Sequence, residues 1–248
     1  MLERAPIIAV PCSFPLSRHK KIPTWARFAY LFNRTLRTLG IERALRFWLN
    51  AAWIANRLAA ELCFASRQDE FRRLGFALRE ETLAKWLPEG ATVLDIGCGV
   101  GEWSRIASKY AKRVVGTDYD SGYIMRNQIN RPPNATFILS DATRGLPKGP
   151  FDVALLIHVI EHIEDPLALL RDIREKAGKL IIEVPNFEAT PLNYIRYDMG
   201  CPFYSDGDHV CEYRPCGLIE LLTAAGWQVE ATEYRSSSVV AMCVPHLC

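Results

Sequence analysis

The run from Val93 to Ser104 restricts the fold of this chain more than any other feature of its sequence. It reads ValLeuAspIleGlyCysGlyValGlyGluTrpSer, an apolar strand that leads into glycines at 97, 99 and 101 and then into a helix. Because glycine has no side chain, the backbone N–H groups of such a loop can approach a ligand, and the N-terminus of the following helix favours negative charge. The run therefore predicts a strand, a ligand-binding glycine loop and a helix in direct succession.

The chain around this loop alternates between short apolar strands and helical patterns of about ten residues, from Ala91 to Ala241. Such alternation predicts an α/β fold with a doubly wound, mostly parallel sheet of seven strands. The last two strands are joined too tightly for a helical crossover, so they should form an antiparallel hairpin. Asp165 is the predicted N-cap of a helix that Gly178 ends. The predicted strands cover 92–96, 113–117, 135–139, 151–157, 179–184, 227–234 and 238–244, and the predicted helices lie near 101–110, 121–130, 166–177 and 217–225.

Two segments stand outside this alternation. Residues 1–87, helical in pattern from 25 onward with soft breaks at Gly40 and Gly75, form a predicted N-terminal extension to a domain at 88–248. Residues 186–214, here called the lid segment, show no clear period, and connections of that length tend to be functional. The lid segment is rich in aromatic residues, which either pack it onto the core or stack on a substrate ring.

The charge of the chain is divided unevenly along its length. Composition is that of an ordinary globular protein, with 49% apolar residues and a net charge of +2. Residues 1–80 nevertheless hold 14 Lys/Arg against 6 Asp/Glu, and the remainder holds 16 against 22. Arginines of the extension alternate with Trp and Phe at helical spacing. Three interpretations of the basic extension remain open. It could cap the active site or a homodimer partner, contact a membrane surface, or bind RNA, which the modest pI favours least.

The eight cysteines do not predict a disulfide framework. The N-terminal apolar run, Ala5 to Val10, is too short for a secretory signal. Seven Lys/Arg and no acid between Arg4 and Leu39 keep a mitochondrial transit segment as a minor alternative. We predict that the thiols are reduced and that the protein is cytoplasmic, and the alternative is a cytoplasmic protein with peripheral membrane contact.

The glycine pattern, Asp95-x-Gly97-x-Gly99-x-Gly101, resembles motif I of the class I S-adenosylmethionine (SAM) dependent methyltransferases. The competing dinucleotide fingerprint of dehydrogenases needs a third glycine where this chain has Glu102. Later strands and the turns HisValIleGluHisIle and ValProAsn look like the subfamily of ubiquinone-biosynthesis O-methyltransferases and many natural-product and sugar methyltransferases. The resemblance covers about residues 90–245 and implies a Rossmann-like fold with SAM as cofactor.

The resemblance also implies which residues meet the cofactor. The glycine loop would hold the methionyl end of SAM. The acid that ends the second strand would bind the ribose, and the pair of residues after the third strand would bind the adenine. The predicted cofactor-binding residues are Asp95, Gly97, Gly99, Gly101, Asp118, Tyr119, Asp141, Ala142 and His158.

Two histidines are the predicted catalytic residues. His209 follows Asp208 in the lid segment, as in many relatives, and a near-neutral pKa suits the removal of a proton from a hydroxyl. His158 leaves the fourth strand close to the expected position of the transferred methyl group.

The sequence HisValIleGluHis at 158–162 raises the question of a metal. It matches a zinc-protease pattern, but that pattern needs a continuous helix, and here it follows a strand. Some ubiquinone O-methyltransferases and small-RNA 2′-O-methyltransferases carry Glu-x-x-Glu-His here and bind a divalent ion. This chain has His158 in place of the first Glu, so we predict no metal. A zinc cluster of Cys201, His209, Cys211 and Cys216 lacks the usual C-x-x-C spacing.

Together these features predict a SAM-dependent methyltransferase that methylates a hydroxyl of a small molecule, sugar or lipid. Base N-methylation is disfavoured because the Asn/Asp-Pro-Pro-Tyr/Phe loop is absent after strand four. The alternatives are a metal-assisted RNA 2′-O-methyltransferase and a SAM-binding partner protein without catalysis.

Overall fold

The computed structural model describes residues 24–235 and 237–246. The prediction about a secretory signal falls on residues 5–10, and that about a transit segment falls partly on residues 4–23; both of these stretches lie outside the described residues. The chain divides into two compact units, Met1–Trp48 and Leu49–Cys248. No helix within the described ranges has both the length and the apolar character that crossing a bilayer requires.

The extension is helical, as its pattern predicted. Helix α1 covers Thr24–Thr38 and α2 covers Ile41–Gly75, with a break in helical geometry at Arg67. Helix α3, Glu80–Trp86, packs into the same apolar cluster as the first strand of the sheet, with Leu83 fully buried. The proposed domain boundary at 87/88 remains a prediction.

The sheet has seven strands in the order β3-β2-β1-β4-β5-β7-β6. The first five are parallel, β7 is antiparallel to β5, and β6 pairs antiparallel with β7, so the predicted C-terminal hairpin is confirmed. The strands are β1 Thr92–Ile96, β2 Arg113–Asp118, β3 Ala135–Leu139, β4 Val153–Ile157, β5 Leu180–Pro185, β6 Trp227–Tyr234 and β7 Ser238–Pro245.

Helices cover both faces of this sheet. They are α4 Glu102–Ala107, α5 Ser121–Ile129, α6 Pro166–Lys176 and α8 Pro215–Ala224, and α7 Leu192–Asp198 lies in the lid segment. The central strands are buried on both faces, which explains their nearly continuous apolar sequences. Trp227 at the start of β6 is 1% exposed and donates from its indole N–H to the Leu170 carbonyl of α6 at 3.0 Å.

Three local predictions need correction. The fourth strand begins at Val153, because Phe151 makes only an isolated bridge with Ala177. The Asp165 side chain caps α6 as predicted by accepting from Ala168 N, but the helix ends at Ala177 in extended geometry, and Gly178 is not a left-handed stop. The lid segment is partly regular, since it contains α7 and a short 3-10 turn at Phe187–Ala189.

The order of the strands decides where a ligand can bind. From β1 the chain moves outward to β2 and β3 and then returns to place β4 on the other side of β1. Ligands of open α/β sheets bind at such a switch point, beyond the carboxyl ends of the strands. The glycine loop follows β1 and His158 follows β4, so both lie at this point.

Candidate active site

All three glycines of the loop have left-handed backbone, with φ of +66° at Gly97, +50° at Gly99 and +75° at Gly101. Space is also restricted at two of them. A Cβ at Gly97 would lie 2.5 Å from Val159 Cγ2, and one at Gly101 would lie 2.6 Å from Asn127 Oδ1. The alternate glycines of the sequence are therefore required by backbone conformation and by close packing of the loop.

Two polar side chains from neighbouring elements hold the loop. Asp118, at the end of β2, accepts from Gly99 N through Oδ2 and from Asp120 N through Oδ1, both at 2.8 Å. Asn127 of α5 donates from Nδ2 to the Gly99 carbonyl at 2.8 Å. Asp118 is 6% exposed. Its carboxylate has about four lone-pair sites, of which these two bonds use two.

Asp95 supports the loop from beneath. Its side chain is 2% exposed and accepts a 2.5 Å hydrogen bond from Ser104 Oγ on α4. Burial raises the pKa of Asp95 to about 7, against the opposing effect of the Ser104 bonds. The carboxyl group connects β1 to the first turn of α4, which is a structural contribution to the cofactor loop.

The remaining predicted cofactor residues lie at the ends of β2 and β3. Tyr119 is 80% exposed. Asp141 accepts from the Thr143 amide at 2.9 Å and hydroxyl at 2.7 Å, and these bonds lower its pKa. Ala142 is half-buried against the core. The sheet thus brings all of these residues to the same edge as the glycine loop.

His158 has an unusual backbone and unusual neighbours. Its φ is +55°, and no other non-glycine residue in the described ranges has a positive φ. Its Nδ1 lies 3.3 Å from Glu161 Oε1 and its Nε2 lies 3.5 Å from Glu183 Oε1. The ring packs on Phe76, with centroids 4.4 Å apart. Burial opposes protonation, but the contacts with the two carboxylates outweigh it and raise the pKa of His158 to about 10. The two carboxylates therefore favour the protonated form of His158.

Glu183 is a site residue that the sequence analysis missed. It lies in β5, fully buried, and accepts from Ala77 N at 2.6 Å, Leu78 N at 3.1 Å and Ser238 Oγ at 2.5 Å. These bonds and His158 lower its pKa despite its burial. The available signal was an acid within an otherwise apolar strand, where a charged side chain needs partners.

The lid segment brings His209 beside the turn that follows β4. Val210 N and Cys211 N donate to the Glu161 carbonyl at 2.9 and 3.2 Å. The rings of His209 and His162 meet edge to face at 4.7 Å. His209 Nδ1 lies 2.9 Å from Glu212 Oε1, and both side chains are nearly buried. Burial lowers the pKa of His209, but Glu212 and nearby carboxylates outweigh this and raise it overall.

A cavity of about 630 Å³ opens between these residues. Two contacts hold the lid segment against α2: Trp53 Nε1 donates to the Tyr204 carbonyl at 2.9 Å, and Arg57 pairs with Asp206 at 2.8 Å in the cavity wall. The cavity wall combines apolar and aromatic side chains with the histidine cluster, and it includes Phe64, Phe76, His158, Glu161, His162, Pro185 and His209.

The same cluster offers a set of metal ligands. One ligand atom from each of Glu161, His162 and His209 lies within 4.8 Å of the others. Glu161 Oε2 is buried and has no hydrogen-bond partner among the described residues. Asp208 and Glu212 lie at the Nδ1 atoms of His162 and His209, an arrangement that orients ligating histidines. Although the sequence predicted no metal, these three residues fit a divalent ion.

Comparison with known proteins decides the family. A family model described as a methyltransferase domain matches residues 67–232, more than half of the chain. The chain belongs to the class I SAM-dependent methyltransferases. The predicted family, fold class and cofactor are thereby confirmed.

Three similar proteins illustrate the range of this methyltransferase family. A Mycolicibacterium smegmatis protein named "probable S-adenosylmethionine-dependent methyltransferase" is 30% identical over 58% of this chain and 54% of its own. A ubiquinone biosynthesis O-methyltransferase from Caulobacter vibrioides is 33% identical over 40% of this chain and 44% of its own. The chain thus spans about half the length of these curated relatives. The fold of this chain is similar to that of a solved magnesium protoporphyrin IX methyltransferase from Synechocystis with bound SAH. The TM-score is 0.53 and the sequence identity 19%, and the match covers 76% of this chain and 98% of that chain.

Proposed function

We propose that this methyltransferase transfers the methyl group of SAM to a hydroxyl oxygen of a small molecule, sugar or lipid bound in the cavity. One observation carries the proposal: His209, paired with Glu212, lies in the wall of a cavity that also reaches His158 at the switch point of the sheet. The volume of about 630 Å³ and the mixed aromatic and polar wall suit a small organic acceptor.

On the cofactor side, the loop at 97–101 would hold the methionyl end of SAM. Asp118 would bind the ribose hydroxyls, and Asp141 with Ala142 would bind the adenine. The unused lone pairs of the buried Asp118 carboxylate support its role as acceptor of both hydroxyls. SAM supplies an electrophilic methyl group, and the protein aligns the acceptor and excludes water.

On the acceptor side, His209 is the proposed general base. With Nδ1 directed to Glu212, the neutral ring presents Nε2 to accept the hydroxyl proton, and the carboxylate stabilises the imidazolium that forms. The carboxylates of Glu161 and Glu183 favour the protonated form of His158, which suits it less to this role. It would serve as a fixed positive charge, braced by Glu161 and Glu183, in the wall beside the acceptor oxygen.

The first experiment tests the activity. Calorimetric titration with SAM, S-adenosylhomocysteine and NADH should show binding of the first two only. Transfer of labelled methyl from SAM into lipid, glycan and RNA extracts should then label a lipid, glycan or small molecule. Tight SAM binding without any labelled product would support a SAM-binding partner protein instead, and binding of NADH in preference to SAM would refute the proposal.

The second experiment tests the base. Because His209 is the base only when it is neutral, activity should rise with pH through its raised pKa. Glu212→Gln should lower that pKa and move the acid limb of the kcat/KM profile to lower pH. Ser205→Ala removes a 3.3 Å contact with His209 and a 2.9 Å hydrogen bond to Glu212 but no charge, so it should move the acid limb less than Glu212→Gln does. An acid limb that does not move in Glu212→Gln would exclude His209 as the titrating base.

The ligand set of Glu161, His162 and His209 favours a second candidate, metal-assisted 2′-O-methylation of RNA. The bound ion would supply Lewis-acid activation of the hydroxyl, held by these three side chains. Titration with Mn²⁺, Zn²⁺ and Mg²⁺, followed by calorimetry, should separate the two candidates. Metal binding that Glu161→Gln abolishes, together with label in RNA, would favour the second candidate over the first.

A further inference from the structure

We infer that residues 24–48 form a docking surface for an anionic lipid bilayer. These residues form α1 and the first turns of α2, and side-chain contacts join the two helices. Trp48 Nε1 donates to Asn33 Oδ1 at 2.9 Å, and Phe32, Phe47 and Trp48 pack edge to face with centroids 5.2 to 6.1 Å apart. The hairpin therefore presents a defined surface.

That surface is unusually apolar. On α1, Phe28 is 68% and Leu31 62% exposed, and Phe32 lies on the same side at the i, i+3, i+4 spacing of one helix face. Further bulky apolar side chains follow in the connection and at the start of α2, and these exposed residues are Leu39, Ile41, Leu45 and Phe47. Soluble proteins seldom expose such a concentration of large apolar groups unless a partner covers it.

The same residues carry a strong positive charge. Residues 24–48 contain five arginines and one glutamate, a net charge of +4. All five arginines are exposed, and they are Arg27, Arg34, Arg37, Arg43 and Arg46. Arg27 and Arg34, one helical heptad apart, lie beside Leu31 on α1. A helix with arginines next to large apolar side chains is suited to the interface of a membrane, where phosphates meet acyl chains.

Two other partners suit this surface less well. A second copy would bring +4 against +4, and like charges across an interface oppose association. RNA would satisfy the arginines, but Leu31, Leu39, Ile41 and Leu45 are aliphatic and cannot stack on bases as aromatic side chains do. An anionic bilayer satisfies both the charge and the aliphatic groups.

Vesicle co-sedimentation of the full chain tests the inference, and it needs neither SAM nor an acceptor. Binding should be strong to phosphatidylcholine vesicles with about 30% phosphatidylglycerol, weak to pure phosphatidylcholine, and reduced by salt. Arg27→Gln with Arg34→Gln should weaken binding about fivefold for each arginine. Phe28→Ser with Leu31→Ser should weaken it at least tenfold at constant charge.

The matched control is Met125→Ser with Ile129→Ser, which replaces two side chains of α5 that are 69% and 78% exposed and should leave vesicle binding unchanged. Equal loss of binding in the control and in the Phe28/Leu31 variant would overturn the inference. So would binding to single-stranded RNA but not to vesicles, or a dimer that the Phe28/Leu31 variant dissociates. Failure here would leave the methyl-transfer proposal untouched, because the assay measures no chemistry.

Discussion

Replacement of Gly97 by alanine should destabilise the protein by about 2–5 kcal/mol, and about half of that cost should depend on Val159. At φ +66°, a side chain adds roughly 1–2 kcal/mol of backbone strain. The new Cβ would also lie 2.5 Å from Val159 Cγ2 and 3.2 Å from Cγ1, an overlap that typically costs about 1–3 kcal/mol. The steric part comes from contact between the glycine loop and the turn after β4.

A double-mutant cycle separates the two contributions. In a Val159→Ala background both Cγ atoms are gone, so Gly97→Ala should cost only the backbone strain of about 1–2 kcal/mol. Gly99→Ala is the matched control, since its φ is +50° and no heavy atom of the described chain lies within 4 Å of a Cβ built there. It should lose about 1–2 kcal/mol whether or not Val159 is truncated.

Urea unfolding followed by tryptophan fluorescence gives the free energies for all six proteins. A coupling energy of about 1–3 kcal/mol between positions 97 and 159, and about zero between 99 and 159, is expected. If Gly97→Ala and Gly99→Ala cost the same in both backgrounds, the contact between loop and turn does not restrict the site as argued.

Three further outcomes are expected. Asp118→Ala should weaken SAM binding about tenfold or more, by calorimetry, because it removes the charged acceptors proposed to bind the ribose hydroxyls. Burial raises the pKa of Asp95 to about 7, so its neutral form favours folding, and stability should fall by roughly 2.5–3 kcal/mol from pH 5 to pH 8. Asp95→Asn, which can still accept from Ser104, should abolish that fall in urea unfolding at the two pH values. Arg57→Ala should speed amide hydrogen exchange of residues 204–212, because it removes the pair with Asp206 that fixes the lid segment to α2.

The glycine loop was predictable because its chemistry is local. Left-handed backbone at alternate positions requires glycine, and an apolar strand before the loop with a helix after it is visible in consecutive residues. The order of strands and helices was equally accessible, since periodicity and short connections decide it. Strand ends moved by only one or two residues, where single bridges such as Phe151 to Ala177 interrupt pairing.

The state of His158 could not be predicted in the same way. Glu183 is 25 positions further along the chain, and only the pairing of β4 with β5 places Ile157 opposite it, so that His158 N donates to the Glu183 carbonyl at 2.9 Å. This pairing brings the Glu183 carboxylate to His158, where it and Glu161 raise the pKa of the imidazole. The Glu212 partner of His209 was missed on similar grounds, because a lid segment without a period gives no register from which to infer contacts.

The amino-acid sequence by itself determined the class of fold, the cofactor loop and the family, since each depends on residues adjacent in the chain. The tertiary structure decided which carboxylates surround His158 and His209, and that Glu161, His162 and His209 meet at one cavity. Protonation and ligand geometry depend on burial and on charges within a few ångströms, and the folding of distant segments onto one sheet edge brings those charges together.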